Sequence, residues 1–121
     1  MACHHFGIID EFDDFHDYGA DGDYYGLVKK YNCVSYDDDA LEMWARGLED
    51  IEFHWHTHGN MGNGLAWWGV TLIPPDAIPK AIFILEQHID KTLRCEAEAV
   101  TLLGLLKKAL SDSKWVIHYG C

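Results

Sequence analysis

The residues from Ile51 to His58 alternate without a break: Ile51, Phe53, Trp55 and Thr57 fall on one side, and Glu52, His54, His56 and His58 on the other. A period of two puts successive side chains on opposite faces of a pleated strand. The stretch therefore predicts a half-buried strand, apolar towards a core and histidine-rich on its other face. A strand of that kind needs neighbours to pair with and a second layer to cover Phe53 and Trp55, which excludes an all-helical chain.

The rest of the sequence supplies both. Cys3 to Ile9 reads as a first strand, and Lys30 to Tyr36 as a second. Asp37-Asp38-Asp39 offers a helix cap with acids in the first turn, and Leu41, Trp44 and Leu48 share one face, so residues 38–49 predict an amphipathic helix. Gly59 to Gly64 is a glycine-rich connection leading into an almost wholly apolar strand from Leu65 to Ile73. Pro74-Pro75 ends that strand. Ile78, Ile82, Leu85, Ile89 and Leu93 then mark the stripe of a helix, with a further helix from Glu96 to Leu110 and a last strand from Trp115 to Tyr119. The order β-β-α-β-β-α-α-β, with no linker and no repeat, predicts one α+β domain over residues 1–121. It is a two-layer sandwich of helices on a mostly antiparallel sheet of about five strands.

Charge divides the chain. Of its 121 residues, the first 60 hold 14 acids and three bases, and the remainder holds six of each, so the whole net charge of −11 lies in the first half. Binding nucleic-acid backbone or an anionic membrane requires clustered Lys and Arg, and none is present. The start lacks a positive region followed by an apolar one, and the longest nearly apolar run is too short to span a bilayer. The expected location is cytoplasmic, with the dispersed cysteines Cys3, Cys33, Cys95 and Cys121 as free thiols.

The acids concentrate in one segment. Asp10, Glu11, Asp13, Asp14, Asp17, Asp21 and Asp23 are interleaved with Phe12, Phe15, Tyr24 and Tyr25 in a glycine-punctuated stretch without helical or strand period. Carboxylates combined with aromatic anchors suit a basic protein surface: charge steers the encounter and rings supply buried contact. Asp37, Asp38 and Asp39 are expected to join that surface. The expected function is therefore a small acidic binding protein, an immunity-type stoichiometric inhibitor of a basic, nuclease-like toxin or partner, acting by blockade without a cofactor.

Two alternatives rest on other residues. On one strand face His54, His56 and His58 lie about 7 Å apart, so two could grip one ion and a third ligand would come from the first strand, from Cys3, His4, His5 or Glu11. His54, His56, His58 and His5 are the preferred set, for zinc or another divalent transition metal, with a hydrolase possible and Glu52 as its base. An oligomeric scaffold or homodimer using Trp67 or Trp68 at a subunit contact is the second alternative. No nucleophile elbow or phosphate-cradling loop is present, and Asp17 to Asp23 departs from a calcium loop at Gly19 and Val28.

Three stretches, Phe6 to Phe12, Tyr31 to Asp39 and Gly64 to Pro75, resemble a group of small bacterial proteins without an assigned activity. The likeness to immunity proteins is one of composition only. The histidine run is similar to the paired histidines of JAMM-type metalloproteases, but Gly59 stands where that family has proline and no Ser-x-x-Asp follows.

Overall fold

The computed structural model describes residues 3–92 and 97–120. Six strands form one sheet: β1 (Cys3–Ile9), β2 (Val34–Asp37), β3 (Glu52–Trp55), β4 (Met61–Asn63), β5 (Val70–Ile73) and β6 (Trp115–Tyr119). Their spatial order is β2-β1-β6-β5-β3-β4, and every neighbouring pair is antiparallel. Among the described residues four α-helices complete the domain: α1 (Tyr24–Lys30), α2 (Asp38–Ala45), α3 (Ile78–Thr92) and α4 (Ala97–Ser111). This is the α+β class that the sequence pattern predicts.

One face of the sheet is closed by α2, α3 and α4. Phe6, Tyr36, Phe53, Ile73 and Val116 meet Leu41, Trp44, Ile78, Leu85, Leu102 and Leu106 in a core from which water is excluded. Ile78, Ile82 and Leu85 of the predicted stripe are buried; Leu93 lies outside the described residues, as do Glu96, Cys95 and Cys121. Trp44 Nε1–H donates to the Tyr36 hydroxyl at 3.0 Å, which satisfies both polar atoms inside the apolar layer.

The opposite face carries Ile9, Val70, Leu72, Ile117 and Tyr119, and it is closed by residues 10–33 rather than by a long helix. Here α1 begins inside the stretch that shows no helical or strand period and runs past its end. Asp23 caps it by accepting from Gly26 N–H at 3.2 Å. Its continuation to Lys30, followed by Asn32 at φ 51°, delays the next strand to Val34. The apolar run from Leu65 is strand only from Val70, because residues 64–69 turn on their own hydrogen bonds: Gly69 N–H donates to Ala66 O at 3.1 Å, and Ala66 N–H to Thr71 Oγ1 at 2.7 Å.

The alternating stretch is also shorter than its period implies. Strand β3 ends at Trp55, and His56 takes a φ of 67°, a left-handed conformation that ends the alternation of faces. Residues 55–60 make a tight reversal instead, with Thr57 N–H donating to Trp55 O at 2.7 Å, and the chain returns as β4. Cys3 and Cys33 are not joined in a disulfide, and no helix among the described residues is long and apolar enough to cross a membrane.

Candidate functional site

The acidic segment leaves β1 at Asp10 and is fastened across the second sheet face by its aromatic residues. The Phe12 ring stacks on Trp115 with centroids 3.8 Å apart and planes 6° from parallel, and lies 5.3 Å from the Tyr18 ring. Tyr18 is buried; its N–H donates to His56 O at 2.8 Å, and its hydroxyl accepts from Asp13 N–H at 2.9 Å. The Tyr24 hydroxyl is bonded to His5 Nδ1, and its ring stands edge-on to Tyr119. Phe12 and Tyr24, expected as anchors for a partner, are thus committed to the sheet. The period-free sequence gave no means of telling inward rings from outward ones.

Phe15 and Tyr25 point the other way. Phe15 is 98% exposed and Tyr25 86%. Around them Asp10, Glu11, Asp13, Asp14, Asp17 and Asp23 are exposed, and Asp21 is half-buried. Several of these carboxylates also shape the segment: Asp13 accepts from Phe15 N–H at 2.9 Å, and Asp17 from Gly19 N–H at 3.0 Å. Asp21 pairs with His16 at 2.8 Å. The hydrogen bond and the charge of Lys114, 2.8 Å away, hold Asp10 below the usual carboxylate range. The surface is therefore acidic, aromatic at two points and fastened to the sheet from beneath.

Asp37, Asp38 and Asp39 do not extend it. Cys3 pairs with Asp37, so these acids sit at the end of β1 opposite Asp10, roughly 20 Å away at the strand rise. They enter the helix layer. Asp37 caps α2, accepting from Ala40 N–H at 3.2 Å, and Asp38 Oδ1 accepts from the buried ring of His4 at 2.7 Å; of the three, Asp39 alone is exposed.

That contact opens a relay that single-strand reading could not show. His4 Nδ1 lies 2.8 Å from His118 Nε2, and His118 Nδ1 lies 3.2 Å from Thr71 Oγ1. Thr71 Oγ1 also accepts from Ala66 N–H and keeps both a proton and a second lone pair for His118 Nδ1. His4 Nε2–H donates to the Asp38 carboxylate, and the His4 and His118 rings share one hydrogen bond between them. Burial first, and then the neighbouring rings of His4 and His5, hold His118 well below the usual histidine range. The sequence signal was faint: one histidine within the otherwise apolar last strand.

The remaining histidines disperse. His54 and His58 stack on each other, centroids 5.0 Å apart, with His54 Nδ1–H donating to His58 O at 2.6 Å and both rings against Trp115. His56, turned by its positive φ, lies against Gly19 and Gly69. The shared face expected of His54, His56 and His58 is not formed, because the strand stops before His56. His5 is bonded to Tyr24, and Glu11 is exposed on the acidic segment. Among the described residues, no group of three or more His, Cys, Asp or Glu gathers as a set for a metal ion.

Beneath the acidic segment, the Tyr119 hydroxyl is buried without a protein partner among the described residues. Burial, with Tyr31, Cys33, Asp21 and Tyr18 nearby, pushes its pKa up. Burial likewise pushes the Cys33 thiol up to about 11, so it stays protonated and unreactive near neutrality. These groups pack rather than react. No protein-family model, curated protein or solved structure matches the chain.

Proposed function

We propose that the chain is a stoichiometric binding protein whose residues 10–25 dock on a basic protein surface and occlude it, as an immunity protein blocks a nuclease-like toxin. The observation that carries this reading is the exposure of Phe15 and Tyr25 (98% and 86%) among exposed carboxylates, on a segment whose rings of Phe12, Tyr18 and Tyr24 pack on the sheet. A large ring left in water forfeits the stabilisation of burial, about 1.5–3 kcal/mol for Phe. Within a segment that folds its neighbouring rings inward, two rings facing solvent are available to a partner. The carboxylates around them attract Lys and Arg over a Debye length and raise the rate of encounter. Because Phe12, Tyr18 and Tyr24 already hold the segment to the sheet, little conformational entropy remains to be lost on docking. The mechanism is steric and electrostatic blockade, and it calls for no cofactor.

The test is capture from a lysate of the native cell, with the chain as bait at about 50 mM and again at about 500 mM salt. A basic nuclease should be retained at low salt in a one-to-one complex and largely released at high salt. One molar equivalent of the chain should abolish its activity. The doubly substituted Phe15→Ala/Tyr25→Ala chain should bind it at least about tenfold more weakly. Retention that is equal in both salts and indifferent to the double substitution would rule the reading out.

A further inference from the structure

Away from the acidic segment, a cleft of about 590 Å³ lies between α2, with the turn that follows it, and the loop 64–69 joining β4 to β5. We propose that this cleft binds an organic cation, an ammonium or guanidinium group carried on a small apolar body. The inference goes beyond the docking surface proposed above and does not depend on it.

Its two walls have different chemistry. One is charged: Glu42, Arg46 and Glu49 follow at helical spacing along α2 and its exit turn. The other is aromatic: Trp67 and Trp68, with Trp68 83% exposed. Among the described residues neither Glu42, Glu49 nor Arg46 makes an ion pair, so the wall keeps two carboxylates against one guanidinium. The loop that carries the aromatic wall is pinned at both ends. Gly64, at φ 71°, donates its N–H to Ile51 O at 2.9 Å and accepts from Trp55 Nε1–H at 2.9 Å. At the other end Gly120 N–H donates to Gly69 O at 2.7 Å, and the Trp67 carbonyl passes so close that Gly120 has no room for a Cβ. The Trp67 ring is backed by the buried His4 ring, 4.4 Å away.

The volume falls in the range of small-molecule sites, about 300–1,000 Å³. Indole faces attract a cation through their quadrupole, and carboxylates that lack a partner supply the countercharge. An anion would meet a net negative wall in a chain of net charge −11. A neutral ligand would gain the ring contact alone. Only a cation with an apolar body uses both walls. Because the loop is pinned at both ends, binding loses little backbone entropy there.

Choline and agmatine are the probes, titrated into the full chain while the indole N–H resonances are followed by NMR. Both should shift the Trp67 and Trp68 signals saturably. The alcohol in which choline's nitrogen is replaced by carbon should bind at least about fivefold more weakly. Trp68→Ala and Glu49→Gln, both at exposed positions, should each weaken choline about fivefold while the amide spectrum stays that of the folded chain. Equal affinity for the neutral isostere would overturn the proposal. So would the absence of saturable shifts up to about 50 mM, or shifts confined to residues 10–25.

Discussion

On one face of the sheet three helices bury Phe53, Leu85, Leu102 and Leu106; on the other, a single irregular segment is fastened by Phe12, Tyr18 and Tyr24. Helices satisfy their own backbone groups, so the first layer can devote its side chains to packing. The segment must use side chains for backbone bonds: Asp13, Asp17 and Asp23 accept N–H groups that no helix or strand would take. Carboxylates therefore serve twice there, as turn-makers and as charge. The helix face accounts for most of the buried apolar surface, while the segment face carries seven of the chain's 20 acids and its two most exposed rings.

If that division holds, the largest effect comes from the helix side. Phe53 is wholly buried between the sheet and its helices. Phe53→Ala should cost about 3–5 kcal/mol in urea unfolding, through lost transfer energy and the cavity left behind. Phe12→Ala removes a half-buried ring from the other face; it should cost less than half as much and act chiefly by speeding amide exchange over residues 10–31. Comparable global destabilisation by the two substitutions would break the comparison.

How far the sequence disclosed this plan follows from the range of the signals. The stripe of α3 is a local periodicity and β1 and β6 are short, mostly apolar runs, and these local signals located those elements. What was missed is tertiary. Strand β3 stops at Trp55 because the reversal at His56 is fixed by bonds to Val70 and Tyr18, residues distant in sequence. Nothing local marks that. The same holds for His4 and His118, 114 positions apart, which meet only because β1 pairs with β6. Of the candidate surface, the exposed acids and Phe15 and Tyr25 were legible as a segment. Which rings turned inward depended on Trp115, from the opposite end of the chain.

A second prediction tests the helix face through its polar seam. His118 is neutral in the folded chain because its ring is buried and the imidazoles of His4 and His5 lie close. In the unfolded chain it titrates near 6.5. Below that pH the unfolded state binds the extra proton, so stability is full above about 6.5 and is lost as pH falls, by up to about 1.4 kcal/mol per pH unit. His5, whose pKa burial and His4 also lower, adds in the same direction, discounted for its partial exposure. Asp10, held low by Lys114, contributes a loss only below about 4, so the two effects separate. Urea midpoints at pH 7.5, 6.5 and 5.5 should fall steadily below the second value, and His118→Gln should flatten that fall while lowering the plateau. A wild-type midpoint unchanged between pH 7.5 and 5.5 would show that His118 is not held neutral.

The smallest expected effect is the most informative about the acidic face. Phe15→Ala and Tyr25→Ala remove rings that fold onto nothing in the core, so each should leave stability within about 0.5 kcal/mol of the parent. Tyr25 touches the Tyr24 ring edge-on at 5.8 Å, which sets the upper end of that range for it. A loss of 2 kcal/mol or more, on the scale of the buried rings (about 3–5 kcal/mol for Phe→Ala), would mean that the segment uses these side chains for its own fold, and the surface would lose its claim to a partner. Near-zero cost sharpens the comparison. Rings that do nothing for folding, left in water by a segment that packs Phe12, Tyr18 and Tyr24 on the sheet, are free to meet the proposed partner. Measuring the two substitutions together with the salt dependence of capture separates the contribution of the rings from that of the carboxylates. The first should slow dissociation of the partner when present, and the second should speed its approach.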